Sequence, residues 1–129
     1  MAKEIICLDS SVLIDYFRKR NKEQTLFYKL SSHGHKFSVT SISQFEILRG
    51  NTALQSKFWE EVFARMDTLT FDDDTAIIAA EISQQLKISK KLVAVPDILI
   101  AACVIQHNHL LATLNHKDFI NIPNLRLLS

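Results

Sequence analysis

The chain has 129 residues, 47% of them hydrophobic and 22% charged, with a formal net charge of +1 at pH 7. That length suits one domain spanning 1–129 with a single core, and the apolar content excludes an intrinsically disordered chain. No global basicity advertises nucleic acid, so such a partner must be held by a local patch or through a metal.

Two further exclusions follow from composition. Gly34 and Gly50 are the only two glycines, so no glycine-rich loop cradles a phosphate or a dinucleotide. No apolar run approaches the roughly 18 residues of a membrane span, and Met1-Ala2-Lys3-Glu4 leads directly into apolar sequence. Neither a membrane span nor a signal peptide is expected, and the expected location is cytoplasmic. Cys7 and Cys103 both lie inside apolar runs, which predicts reduced core residues.

In chain order, Ile5–Leu8 is a continuous apolar run that reads as a strand buried on both faces. A helix follows over about 11–19, capped by Ser10 or Ser11, with Leu13 and Phe17 on its apolar face. Asp9 stands between the two, either as the cap or at a strand's carboxyl end, where open α/β sheets bind ligands. The run Arg18-Lys19-Arg20-Asn21-Lys22 reads as a solvated loop. A second helix is expected over 22–33, ending at Gly34, and then a strand at Lys36–Thr40. Thr40 or Ser41 caps the next helix, which Gly50 ends. Its apolar stripe of Ile42, Phe45 and Leu48 places Glu46 at the border of the buried face.

Residues 52–65 predict a helix with Leu54, Phe58, Val62 and either Phe63 or Met66 inward. A short strand is expected at Leu69–Phe71. Asp72, Asp73 and Asp74 then open a helix to about Lys87, with Ala76, Ile77, Ala80 and Leu86 on its core side. Three adjacent aspartates invite a metal reading, but an N-cap with dipole-complementing charge explains them more simply. Pro96 to Ile105 is apolar all round apart from Asp97, which predicts a buried helix carrying a lone carboxylate. Such a charge must be hydrogen-bonded, paired or bound to a cation. Leu110–Thr113 reads as another buried strand, followed by Asn115-His116-Lys117-Asp118, and Leu125–Leu128 as a last short strand. The alternation predicts a three-layer α/β/α domain with a mostly parallel central sheet.

Parallel strands bring their carboxyl ends to one edge, so Asp9, Ser41 with Glu46, and Asn115 with Asp118 can converge there, joined by Asp97. Oxygen-only carboxylate clusters suit Mg²⁺ or Mn²⁺, and the chemistry that uses them is phosphoryl transfer. A dehalogenase-type phosphatase needs a second aspartate at the position of Ser11, and the acidic pair of receiver domains has no counterpart here. The five histidines lack cysteine partners and a His-Glu-x-x-His pattern, so they are expected to be structural or superficial.

Four stretches together, Leu8–Asp15, Thr40–Gly50, Pro96–Ala102 and Ala112–Phe119, resemble a PIN domain. More closely they resemble the VapC-type toxins of toxin–antitoxin pairs. The resemblance covers about residues 5–128 and implies a Mg²⁺- or Mn²⁺-dependent endoribonuclease. It further implies a structured RNA substrate such as tRNA or rRNA, inhibition of translation, neutralisation by a small antitoxin, and a homodimer. Carried over by position, it implies Asp9, Glu46 and Asp97 as catalytic and metal-binding groups. The fourth such place, where the family has an Asn or Asp at one or both of the positions of Asn115 and Asp118, is assigned to Asp118 with Asn115 as the alternative. Ser41, Thr113 and Asn115 stand in support. The alternative is a PIN-fold module that binds RNA or protein without cutting.

Overall fold

The computed structural model describes residues 4–129, and the reading of Met1–Lys3 as a lead-in lies outside them. Strand β1 (Ile6–Leu8) leads into helix α1 (Ser10–Arg18), and α2 (Leu26–Ser31) precedes β2 (Phe37–Thr40). Then come α3 (Ser41–Leu48), α4 (Ala53–Phe63), β3 (Asp67–Leu69), α5 (Asp73–Ile88) and α6 (Val95–His107), followed by β4 (Leu110–Ala112) and α7 (His116–Phe119). The strands form one four-stranded sheet in the order β3-β2-β1-β4. Every pairing is parallel, with Cys7 opposite Leu111 on one side and Ser38 on the other.

Side chains alternate across a strand, so three residues suffice to serve two layers. Ile6 and Leu8 join Val39, Ala112, Val12, Leu13, Ile47 and Trp59 in the core beneath α1, α3 and α4. Cys7 and Leu111 point the other way, into the core built by α5 and α6 from Ile82, Leu86, Ile100 and Val104. The expected three-layer α/β/α arrangement is thus the one observed, and both cysteines are free and buried in it. Burial pushes the Cys7 thiol up to about 12 and the Cys103 thiol to about 11, which leaves both unreactive at neutral pH. No helix among the described residues is long and apolar enough to cross a membrane.

Several local expectations are corrected. The helix expected at 22–33 is broken: a 3₁₀ turn at Lys22–Gln24 precedes α2, and Thr25 stands between them. Its buried hydroxyl accepts from Tyr28 N at 3.3 Å and donates to Lys22 O at 2.6 Å. Lys22 is not solvated either. Its Nζ donates to the carbonyls of Tyr16, Phe17 and Lys19 at 2.6–3.0 Å and so satisfies the end of α1. Lys19 pairs with Asp15 at 3.4 Å, so half of the basic run is engaged locally.

The buried face of α3 is Ser43 and Ile47 rather than Phe45 and Leu48, and that of α5 is Thr75, Ala79, Ile82 and Leu86 rather than Ala76, Ile77 and Ala80. Strand β3 starts two residues before the expected Leu69 and ends there. The last stretch makes only a parallel bridge, Leu127 to Leu111, along the outer edge of β4. The simple account of the three aspartates holds: Asp72 caps α5 by accepting from Thr75 N at 3.0 Å, and Asp73 and Asp74 follow in the first turn.

Trp59 anchors the α1 side of the sheet. It is 2% exposed, with the rings of Phe17, Phe58 and Phe63 centred 5.4, 5.1 and 5.8 Å away. Trp59→Ala should therefore lose about 3–5 kcal/mol of unfolding free energy in urea titrations. Leu54, expected in the core but 88% exposed, should tolerate Leu54→Ala within about 0.5 kcal/mol.

His109 supplies a pH-dependent element of the fold. Its Nδ1 lies 2.8 Å from the buried Ser38 hydroxyl, and burial, then His107, hold its pKa below the ordinary value. The neutral ring is the form the fold prefers, so its stabilisation is complete above the unfolded pKa of about 6.5 and is lost as the pH falls through and below it. Replacing it, His109→Gln, should flatten the decline in melting temperature between pH 7 and pH 5.

Candidate active site

The strand order places a crevice at one point of the sheet edge. From β1 the chain moves to β2 and then β3 on one side, and only later returns to lay β4 on the other. Open α/β sheets bind ligands at such a switch, beyond the carboxyl ends of the strands. Asp9 follows β1 there and Thr113 follows β4.

Asp9 occupies the N-cap position of α1 but makes no side-chain capping bond. Its carboxylate is used across the seam instead: Oδ2 accepts from Ser11 Oγ at 2.9 Å and from Thr113 Oγ1 at 2.8 Å. The two hydroxyls are themselves fixed, since Ser11 Oγ accepts from Leu114 N at 3.1 Å and Thr113 Oγ1 from Asn115 N at 3.0 Å. Asp9 is only 5% exposed. A buried carboxylate held through one oxygen keeps the other for a ligand.

The remaining acids face it from three helices. Glu46 lies one turn into α3, whose N-terminus is set by Thr40 accepting from Ser43 N at 3.0 Å; the cap is therefore Thr40, and Ser41 opens the first turn. Burial first and Asp9 second hold the Glu46 carboxyl above its ordinary range, with Arg49 and the Ser10 hydroxyl pulling the other way. Its Oε1 is buried with no hydrogen-bond partner. Asp97 sits half-buried in the first turn of α6. Burial, then the charges of Asp9, Asp118 and Glu46, push its pKa up to about 6. Asp118 is exposed on α7, and Asn115 is the exposed N-cap residue of that helix, making no side-chain capping bond.

Asp97 thus feels the other three acids, and Glu46 feels Asp9. Among the described residues, no three of His, Cys, Asp and Glu are gathered closely enough to enclose a metal ion by themselves. Sequence reasoning weighed Ser11 only as a helix cap, although its hydroxyl orients Asp9; the only local signal was its position two residues after the aspartate. Two of the histidines are engaged elsewhere: His109 bonds Ser38 and His33 bonds the Lys29 carbonyl at 2.6 Å.

A family model described as PIN domain matches residues 6–125. Ribonuclease VapC1 of Methanocaldococcus jannaschii is 32% identical over 123 residues, which span 95% of this chain and 84% of that protein. The structure of VapBC-1 from nontypeable Haemophilus influenzae aligns with a TM-score of 0.83 at 21% identity, covering 97% of each chain. A toxin–antitoxin complex from Klebsiella pneumoniae aligns with a TM-score of 0.74 at 22% identity, covering 96% of each. At those identities the two structures bear on the fold, which agrees with the sheet and helices described above. The domain match over nearly the whole chain and the identity to the curated ribonuclease go further: this chain belongs to the PIN-domain family and, within it, to the VapC ribonucleases.

Proposed function

We propose that this chain is the toxin of a toxin–antitoxin pair, an endoribonuclease dependent on Mg²⁺ or Mn²⁺. On this reading it cuts a structured RNA such as tRNA or rRNA and stops translation until a small antitoxin neutralises it. The observation that carries the reading is the buried Asp9 carboxylate at the end of β1, held through Oδ2 alone by Ser11 and Thr113, with Asp97 raised to about 6 first by burial and then by Asp9, Asp118 and Glu46. Acids whose charges raise the Asp97 carboxyl are a feature that a cation relieves and that a bare fold has no use for.

The donor set is all oxygen, which suits a hard cation, and its openness suits one that keeps several waters and takes only one or two carboxylates. Asp9 and Asp97 would hold the ion, with Glu46 and Asp118 beside them and Ser41, Thr113 and Asn115 in support. Bound there, it would supply an activated water and stabilise the leaving oxygen of a phosphodiester. The chain's own contribution is orientation: Ser11 and Thr113 fix the Asp9 carboxylate, and α3 and α6 carry Glu46 and Asp97 within range of its charge. The loose spacing of the acids is the observation that favours the second reading, a PIN-fold module that binds RNA or protein without cutting.

The antitoxin has a candidate seat in an aromatic groove of about 410 Å³ lined by Tyr16, Phe27, Phe37, Phe58, Val62 and Met66. For the homodimer, Phe45 is the notable surface group: it is 61% exposed, with the Arg49 guanidinium 5.8 Å from its ring centre. Light scattering at micromolar concentration should give a dimer for the wild type and a monomer for Phe45→Glu.

Cleavage tests the main reading. Asp9→Asn and Asp97→Asn should each lower RNA cleavage by orders of magnitude and abolish toxicity in cells. Asp15→Asn, outside the crevice and paired with Lys19, should cut normally. The melting temperature of the Asp97→Asn variant should hold or rise, because one fewer like charge opposes the fold. Manganese titration followed by calorimetry should show binding to the wild type and its loss in both variants. Wild-type cutting rates in the Asp9 and Asp97 variants would show the metal-nuclease reading to be wrong.

A further inference from the structure

Beside the acidic crevice lies a second cleft of about 260 Å³, between the end of α1 and the α3–α4 connection. Phe17 and Trp59 close its floor, and Arg18, Glu46, Asn51 and Gln55 stand on its walls. Four side-chain atoms among the described residues are buried without a hydrogen-bond partner, and two of them, Glu46 Oε1 and Asn51 Nδ2, belong to residues lining this one cleft. Buried polar groups in folded proteins are nearly always paired, so an unpaired acceptor and an unpaired donor on two residues of one small cleft mark a place where a ligand group or a water completes the pairing. Gln55 adds to the pattern. Its Oε1 accepts from Thr52 N at 3.0 Å as part of the α4 capping box, which leaves its Nε2 as a further donor.

The geometry points to a subsite for one nucleobase of the substrate RNA, next to the nucleotide whose phosphate meets the acids. This rests on the nuclease reading above and adds the means by which the chain chooses where to cut. The volume lies just below the range of about 300–1,000 Å³ typical of small-molecule pockets, so it takes one planar group rather than a helix or strand. A base offers what the walls lack: a donor and an acceptor together on one edge, and an apolar face for the partly exposed ring of Phe17, with the buried Trp59 behind it. Glu46 is the shared wall, coupled to Asp9 on one side and lining the cleft on the other, so a strand crossing the crevice has the cleft within reach of an adjacent nucleotide. Arg18, exposed at the end of α1, supplies the local positive charge that the chain as a whole lacks.

The test uses the full chain, Mn²⁺ and a pool of RNA oligonucleotides randomised in sequence, with the new ends read by sequencing. Wild type should prefer particular bases at one position beside the cut. Asn51→Ala removes the donor and should reduce discrimination at that position roughly tenfold, while leaving preferences elsewhere in place. Asn51→Asp replaces the donor by an acceptor and should move the preference to a base that presents a donor there. Circular dichroism melting confirms that both variants fold. Identical preferences in the three proteins, or a uniform loss of rate on all sequences, overturn the subsite. An Asn51→Asp chain with unchanged preference that no longer retains the co-expressed product of the neighbouring gene assigns the cleft to a protein partner instead. A wild type that cuts nothing removes the nuclease reading itself, and this inference with it.

Discussion

The clamp on Asp9 is the interaction on which the site depends. Thr113 and Ser11, 102 residues apart in sequence, lie within 3.4 Å of one another and both donate to the same carboxylate oxygen. Hydrogen bonds to a charged group are worth about 1.5–3 kcal/mol each, enough to hold an almost fully buried carboxylate in one orientation. They also tie the loop after β1 to the loop after β4, across the seam where the sheet reverses its direction of growth. Had Asp9 capped α1, as its position permits, its oxygens would have been turned to the helix rather than the crevice.

Around that fixed charge the other acids work against the fold. Asp97 is raised by burial and by its neighbours from 3.8 to about 6. Its folded-state value lies above its unfolded one, so its favourable contribution to folding is present below about pH 4 and is lost as the pH rises through about 6. At neutral pH the cluster is therefore a source of instability that the two packed cores must offset. The compensation comes from the apolar cores on both faces of the sheet, in keeping with strain held at functional sites by structure elsewhere.

What could be read from the sequence, and what could not, separates along physical lines. Asp97 stood out because a charge in an otherwise apolar helix has few explanations, and Asp9 because it interrupts a buried strand. Parallel strands alone bring the residues that follow β1 and β4 to one edge; Asp97, on a helix, is not placed by that rule. The inward face of α5 was misjudged because apolar residues surround the helix: Ile77 and Ile78 are adjacent, and only packing against α6 selects Ile78 with Thr75 and Ile82. The break at Thr25 was hidden because a buried threonine cap is indistinguishable in sequence from a helical one. Lys22 read as solvated because nothing local reveals that three carbonyls wait for its ammonium. The role of Ser11 was illegible for the same reason in stronger form, since its partner lies at the other end of the chain.

That distance has a structural consequence. The sheet positions Asp9 through β1 early in the chain, and α3 brings Glu46 to the same edge, but neither contact that orients Asp9 through Thr113 and Leu114 exists until β4 has paired with β1. The pairing closes a long loop, and such contacts form late because their entropy is recovered only when the intervening elements are in place. Strands β2 and β3, with α3 to α6, occupy that interval and carry Glu46 and Asp97 with them. Completion of the Asp9 clamp is thereby tied to the β1–β4 pairing: Glu46 reaches the same edge through β2 and α3, whereas the Thr113 hydroxyl that holds Asp9 comes only with β4.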